Sequence, residues 1–115
     1  MQTDKLKVEA RSGSRDGQHV IRVVGPVTLS NVALFRDAAK STAQPKLIID
    51  LTEVPYIDSA ALGAFVHTYV SFRNTGRRLA LVGMTNRVSN VFHLASLDVL
   101  FSSYSTVEEA EQALA

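Results

Sequence analysis

The chain has 115 residues, 46% of them hydrophobic, and a formal net charge of +1. That length suits one domain, residues 1–115, with a proper core, and the near-zero charge gives no electrostatic case for a nucleic-acid partner. Cysteine is absent, which excludes a disulfide, a thiolate metal site and a cysteine nucleophile.

The polar start, Met1-Gln2-Thr3-Asp4-Lys5, lacks the apolar core of a secretory signal. No later run approaches the roughly 20 apolar residues of a membrane span, so direct membrane insertion is not expected and a cytoplasmic location is. Residues 5–11 alternate strictly, with Leu6, Val8 and Ala10 on one face and charged residues on the other, as in a half-exposed strand. The polar and glycine-rich residues 12–17 form a turn. Residues 19–24 are apolar and β-branched, a second strand paired with the first as a hairpin and stopped by Gly25-Pro26. Thr28 or Ser30 can cap the next segment, a helix of about three turns with Val32, Phe35 and Ala39 at its core spacing.

Residues 47–51, Leu-Ile-Ile-Asp-Leu, read as a central strand buried on both faces. Pro55 bars helix in the turn that follows. Asp58-Ser59 then favours a helix start, and Leu62, Phe65, Val66, Tyr69 and Val70 repeat as one amphipathic face. Gly76 can take the left-handed cap conformation that ends this helix. Residues 77–83 read as another buried strand with a basic entry, Arg77-Arg78. Thr85 or Asn86 caps a helix with Val88, Val91, Phe92 and Ala95 inside, and residues 99–104 form a short edge strand. Thr106-Val107-Glu108-Glu109 matches a capping box that opens a terminal helix with Val107, Ala110 and Leu114 on its apolar side. The order β-β-α-β-α-β-α-β-α predicts an α/β fold with a mixed, mostly parallel sheet and helices packed mainly on one face.

Ser59 is the residue with the most chemistry. It lies where free amides and the positive end of a helix dipole converge, so a phosphate ester would be tolerated there. Such an ester would add about −1.5 to −2 charge beside Asp58. The plainer role is a helix cap, and a capping hydroxyl can also be a switch. Asp58 is either a cap acid or a group that orients the hydroxyl or meets a partner. The small residues Ala60 and Ala61, with Leu62, would let a partner lie close to the backbone there.

Catalytic and metal readings find little support. There is no Gly-x-Ser-x-Gly elbow. His67, eight residues beyond Ser59, lies roughly 12 Å along the same helix, whereas a serine needs its base within about 3 Å. His19, His67 and His93 lack ligand spacing, and no phosphate-loop motif occurs. Neither a catalytic residue, a metal nor a cofactor is therefore expected. Arg73, Arg77, Arg78 and Arg87 form a basic group near the second helix end and the fourth strand, better read as solvated surface than as a nucleic-acid patch, with an acidic protein partner as the alternative.

Asp50-Leu51-Thr52-Glu53-Val54-Pro55-Tyr56-Ile57-Asp58-Ser59-Ala60-Ala61-Leu62-Gly63 resembles the signature of STAS domains, in the style of the stand-alone anti-sigma factor antagonists. The resemblance implies a non-enzymatic regulator that acts by protein–protein contact. Its unphosphorylated form would bind an anti-sigma-factor serine kinase and release a sigma factor. That kinase would use ATP to phosphorylate Ser59, and a protein serine phosphatase would restore the hydroxyl. A monomer or weak dimer is implied, with Thr28, Asp58, Ser59, Ala60, Ala61 and Leu62 toward the partner. Two departures stand out: Ala60-Ala61 replaces a second hydroxyl and a glycine, and Gly25-Pro26-Val27-Thr28 lacks the acids that relatives carry. These departures keep open two other STAS roles, a scaffold subunit of a signalling assembly and a cytoplasmic accessory subunit of a lipid ABC transporter.

Overall fold

The computed structural model describes residues 5–115, so the polar residues 1–4 lie outside the described residues. Strands β1 (Lys7–Ser12) and β2 (Gln18–Val24) form the antiparallel hairpin, and β3 (Lys46–Glu53), β4 (Arg78–Val82) and β5 (Ser102–Tyr104) follow in parallel. The sheet order is β1-β2-β3-β4-β5. Helices α1 (Val32–Ser41), α2 (Ser59–Asn74) and α3 (Asn86–Leu94) pack on one face, and α4 (Val107–Ala113) covers part of the other. The expected α/β architecture and element order are thereby observed.

The central strand divides its side chains between two cores. Leu47, Ile49 and Leu51 join Ile21, Val23 and Leu81 under the three helices. Ile48 joins Val20, Ala80 and Val82 under Ala110 of α4 and its C-cap residue Leu114. Both faces of β3 are thus apolar, as its sequence requires. Phe65 of α2 lies between Phe35 of α1, at 4.7 Å between ring centroids, and Phe92 of α3, at 5.9 Å, which locks the three helices to one another.

Several local expectations need correction. Neither Thr28 nor Ser30 caps α1; Asn31 is the N-cap residue, and its Oδ1 accepts the Thr28 N–H at 2.9 Å. The buried line of α2 runs through Ala61, Ala64, Phe65, Thr68 and Phe72, while Leu62, Val66 and Tyr69 are half-buried and Val70 is exposed. This helix is apolar on most sides, so hydropathy alone does not choose its face. Small side chains win the central line because they let the helix backbone approach the sheet. Ala10 lies exposed on the edge strand, and Ala95 falls after the last turn of α3. Residues 99–101 precede β5 instead of opening it. Glu109 Oε1 accepts from the Ser105 N–H, not from that of the N-cap Thr106, although Thr106 Oγ1 takes the Glu109 N–H as expected.

The arginines do not form one group. Arg77 stacks 3.9 Å over the Phe72 ring and donates to the Thr42 carbonyl, closing the C-terminal end of α2. Arg78 reaches toward Ala113, and Arg87 lies 4.8 Å over Tyr56 at the start of α3. Among the described residues no helix is long and apolar enough to cross a membrane, and no cluster of His, Cys, Asp or Glu could hold a metal ion.

Candidate functional site

The chain leaves β2 and β3 at the same edge of the sheet, and the two exit loops are joined there. Val27 and Ile57 form an isolated parallel bridge, in which the Val27 N–H donates to the Tyr56 carbonyl and the Asp58 N–H to that of Val27, each at 3.2 Å. Gly25 makes the bend possible. Its φ is +107°, and a Cβ there would stand 2.6 Å from the Lys5 carbonyl oxygen, a conformation and a space open to glycine.

Asp58 is the hub of the joined loops. It is the N-cap of α2, and its Oδ1 accepts the Ala61 N–H at 3.0 Å. Its Oδ2 accepts the Leu29 N–H from the other loop at 2.9 Å. Desolvation of this half-buried carboxyl works to raise its pKa, but the N–H groups of Ala61, Leu29 and Ala60 outweigh it, and Asp58 titrates below the ordinary carboxylate range.

Ser59 follows as the first residue of α2 and is exposed. Capping falls to Asp58, and Ser59 Oγ makes no hydrogen bond among the described residues. The hydroxyl is therefore held in place by its backbone and left open to solvent at the positive end of a helix of 16 residues. Among the described residues no histidine stands beside it, since His67 lies two turns further along α2. The arrangement suits an acceptor of a transferred group better than a nucleophile with its own catalytic partner.

The other candidates divide. Thr28 is half-buried, with Oγ1 2.9 Å from Ser30 Oγ, and Ala60 is half-buried beside Ser59. Leu62 is half-buried and packs against the main core. Ala61 is the correction: it is 0% exposed and faces the sheet, so it offers no surface to a partner. The Ala61 methyl group is absorbed by the protein's own core. Leu29 is a further candidate contact that sequence reasoning missed. It is 76% exposed, beside Asp58 and next to Thr28. The available signal was a leucine in a polar loop, outside any helical or strand periodicity.

The fold and this loop pair define the class. The chain belongs to the STAS domain family, whose model matches residues 9–110. It is 43% identical over 96 residues to the anti-sigma-B factor antagonist of Listeria monocytogenes, an alignment that takes in 80% of this chain and 84% of that protein. Among solved structures, an anti-sigma factor antagonist from Mycobacterium paratuberculosis superposes with a TM-score of 0.85 at 23% identity, covering 96% of this chain and 94% of that one. The Bacillus cell fate determinant SpoIIAA, in its phosphorylated form, superposes with a TM-score of 0.70 at 16% identity, covering 95% and 99%. At these identities the two structures speak to the fold alone.

Proposed function

We propose that this chain is an anti-sigma factor antagonist that binds a serine-kinase anti-sigma factor when Ser59 is unmodified and is released when Ser59 is phosphorylated. The observation that carries the reading is the Ser59 hydroxyl, exposed and without a hydrogen bond among the described residues, on the first turn of α2 beside Asp58 and Leu29. A hydroxyl with no structural task is free to be modified without unfolding its surroundings. The Listeria relative carries the antagonist name, and SpoIIAA, a fold neighbour, has solved structures in phosphorylated and unphosphorylated forms.

Desolvation drives release. A phosphate dianion buried in an interface costs several kcal/mol unless it is paired, and about 1.4 kcal/mol already changes affinity tenfold. The chain itself performs no chemistry in this scheme. It is the substrate of the kinase and of a protein serine phosphatase, and it works in the cytoplasm as one domain, a monomer or weak dimer.

Binding of Ser59→Ala and Ser59→Asp to the purified anti-sigma factor, with intact mass of the protein from its native host, tests this. Ser59→Ala is expected to keep affinity and resist the kinase, and Ser59→Asp to bind at least tenfold more weakly. Equal affinity of both variants, or a modified residue other than Ser59, overturns the reading.

A further inference from the structure

Helices α1 and α2 both cross from the end of one parallel strand to the start of the next, so they run side by side in the same direction. Between them lies an open groove of about 610 Å³ that begins at Ser59 and ends at Phe72 and Arg77. Its floor on the α2 side is made by Ala60, Gly63 and Ala64. Gly63 is out of place by the needs of the fold alone. It lies inside a helix, where glycine is a poor choice, and a Cβ there would meet nothing within 4 Å. The protein's own packing therefore does not demand its smallness. Something approaching from outside would.

The opposite wall supplies the second observation. Arg36 and Lys40, one turn apart on α1, line the groove, and both are exposed. Neither makes an ion pair among the described residues. His67 and Arg77 add further basic groups, and among the described residues no aspartate or glutamate lines the groove. A groove with a small-residue floor and an unpaired basic wall complements an acidic, amphipathic rod.

We infer that this groove seats a helix of a partner protein, with apolar or small side chains against Gly63 and acidic side chains against Arg36 and Lys40. The span from Ser59 to Phe72 is about 20 Å at 1.5 Å per residue, room for a helix of three to four turns. A helix laid there reaches Ser59 with one end, which places the proposed switch at the edge of this contact. The inference rests on the antagonist reading for the identity of the partner, the anti-sigma factor, and not for the existence of the seat.

The test measures binding of the purified anti-sigma factor to the full chain by calorimetry. Gly63→Leu fills the groove, and its added side chain has open space in the free protein. Arg36→Glu with Lys40→Glu reverses the wall. Each is expected to weaken binding at least tenfold with no loss of thermal stability, and wild-type binding is expected to weaken as salt shortens the reach of the charges. Binding within twofold of wild type by both groove variants overturns the inference. If Ser59→Asp still loses affinity in that case, the switch stands without the groove. Loss of affinity in the groove variants with none in Ser59→Asp leaves the seat and removes the switch, and failure of the wild-type chain to bind removes both.

Discussion

The backbone N–H of Leu29 donates to Asp58 Oδ2 at 2.9 Å, across 29 residues of chain. The same carboxylate caps α2 through the Ala61 N–H, so one side chain fixes both an exposed leucine and the helix that carries Ser59. Loss of an N-cap costs about 1 kcal/mol, and a lost hydrogen bond to a charged group costs somewhat more than a neutral one. Asp58→Ala is therefore expected to lower unfolding stability by about 1–3 kcal/mol, read as a lower urea midpoint at unchanged slope. Ser59→Ala removes no hydrogen bond among the described residues and should stay within about 0.5 kcal/mol of wild type. A large loss in Ser59→Ala would mean that the hydroxyl is structural.

The Asp58 carboxylate also sets a pH dependence. Its folded pKa lies below the ordinary value because backbone N–H groups stabilise the ionised form more than desolvation opposes it. A depressed carboxyl contributes stability that is fully present above its unfolded pKa, about 3.9, and is lost as pH falls through the folded value. Wild type should therefore be more stable than Asp58→Asn by a constant margin from pH 7 to about pH 5, and the margin should close as pH falls below the unfolded pKa and through the lower folded one. Urea titrations of both proteins at several pH values measure it. A margin that grows on acidification would contradict the assignment.

The sequence carries these local features plainly, because a cap, a turn and a strand alternation are written within a few residues. Residues 47–51 could be read as doubly buried since Leu47, Ile49 and Leu51 point to one apolar layer and Ile48 to the other. Thr106 and Thr85 announce their helices by capping chemistry alone. What stays hidden depends on contacts between distant segments. Glu111 is 6% exposed on α4, where it accepts the Ser14 N–H at 2.8 Å from 97 residues away, and no periodicity marks that. The face of α2 is hidden for another reason: Thr68 satisfies its own hydroxyl on the Ala64 carbonyl at 2.9 Å, so a polar residue sits at small cost on the buried line. Leu29 matters only because β2 and β3 end side by side.

Gly63 lies in the interior of α2 with open space where a Cβ would point. Replacing glycine by alanine in such a place lowers the entropy of the unfolded chain and raises helix propensity. Gly63→Ala is therefore expected to stabilise the protein by about 0.5–1 kcal/mol, seen as a higher melting temperature in calorimetry. Destabilisation would mean that the space beside Gly63 is occupied in the free protein.

Leu29 supplies the last expectation. At 76% exposure it contributes little to the core, so Leu29→Ala should leave stability within about 0.5 kcal/mol of wild type. Against a partner that covers Ser59 it would be buried, because the Asp58 carboxylate holds its backbone within the same small surface. Burying a leucine side chain stabilises a contact by about 1.5–3 kcal/mol, most of which Leu29→Ala removes. Affinity for the anti-sigma factor should fall roughly tenfold or more, chiefly through faster dissociation, since truncation within an interface acts mainly on that rate. Surface plasmon resonance on the wild type and Leu29→Ala separates the two rates. An unchanged dissociation rate would place Leu29 outside the contact and confine the docking face to α2 and the groove beside it.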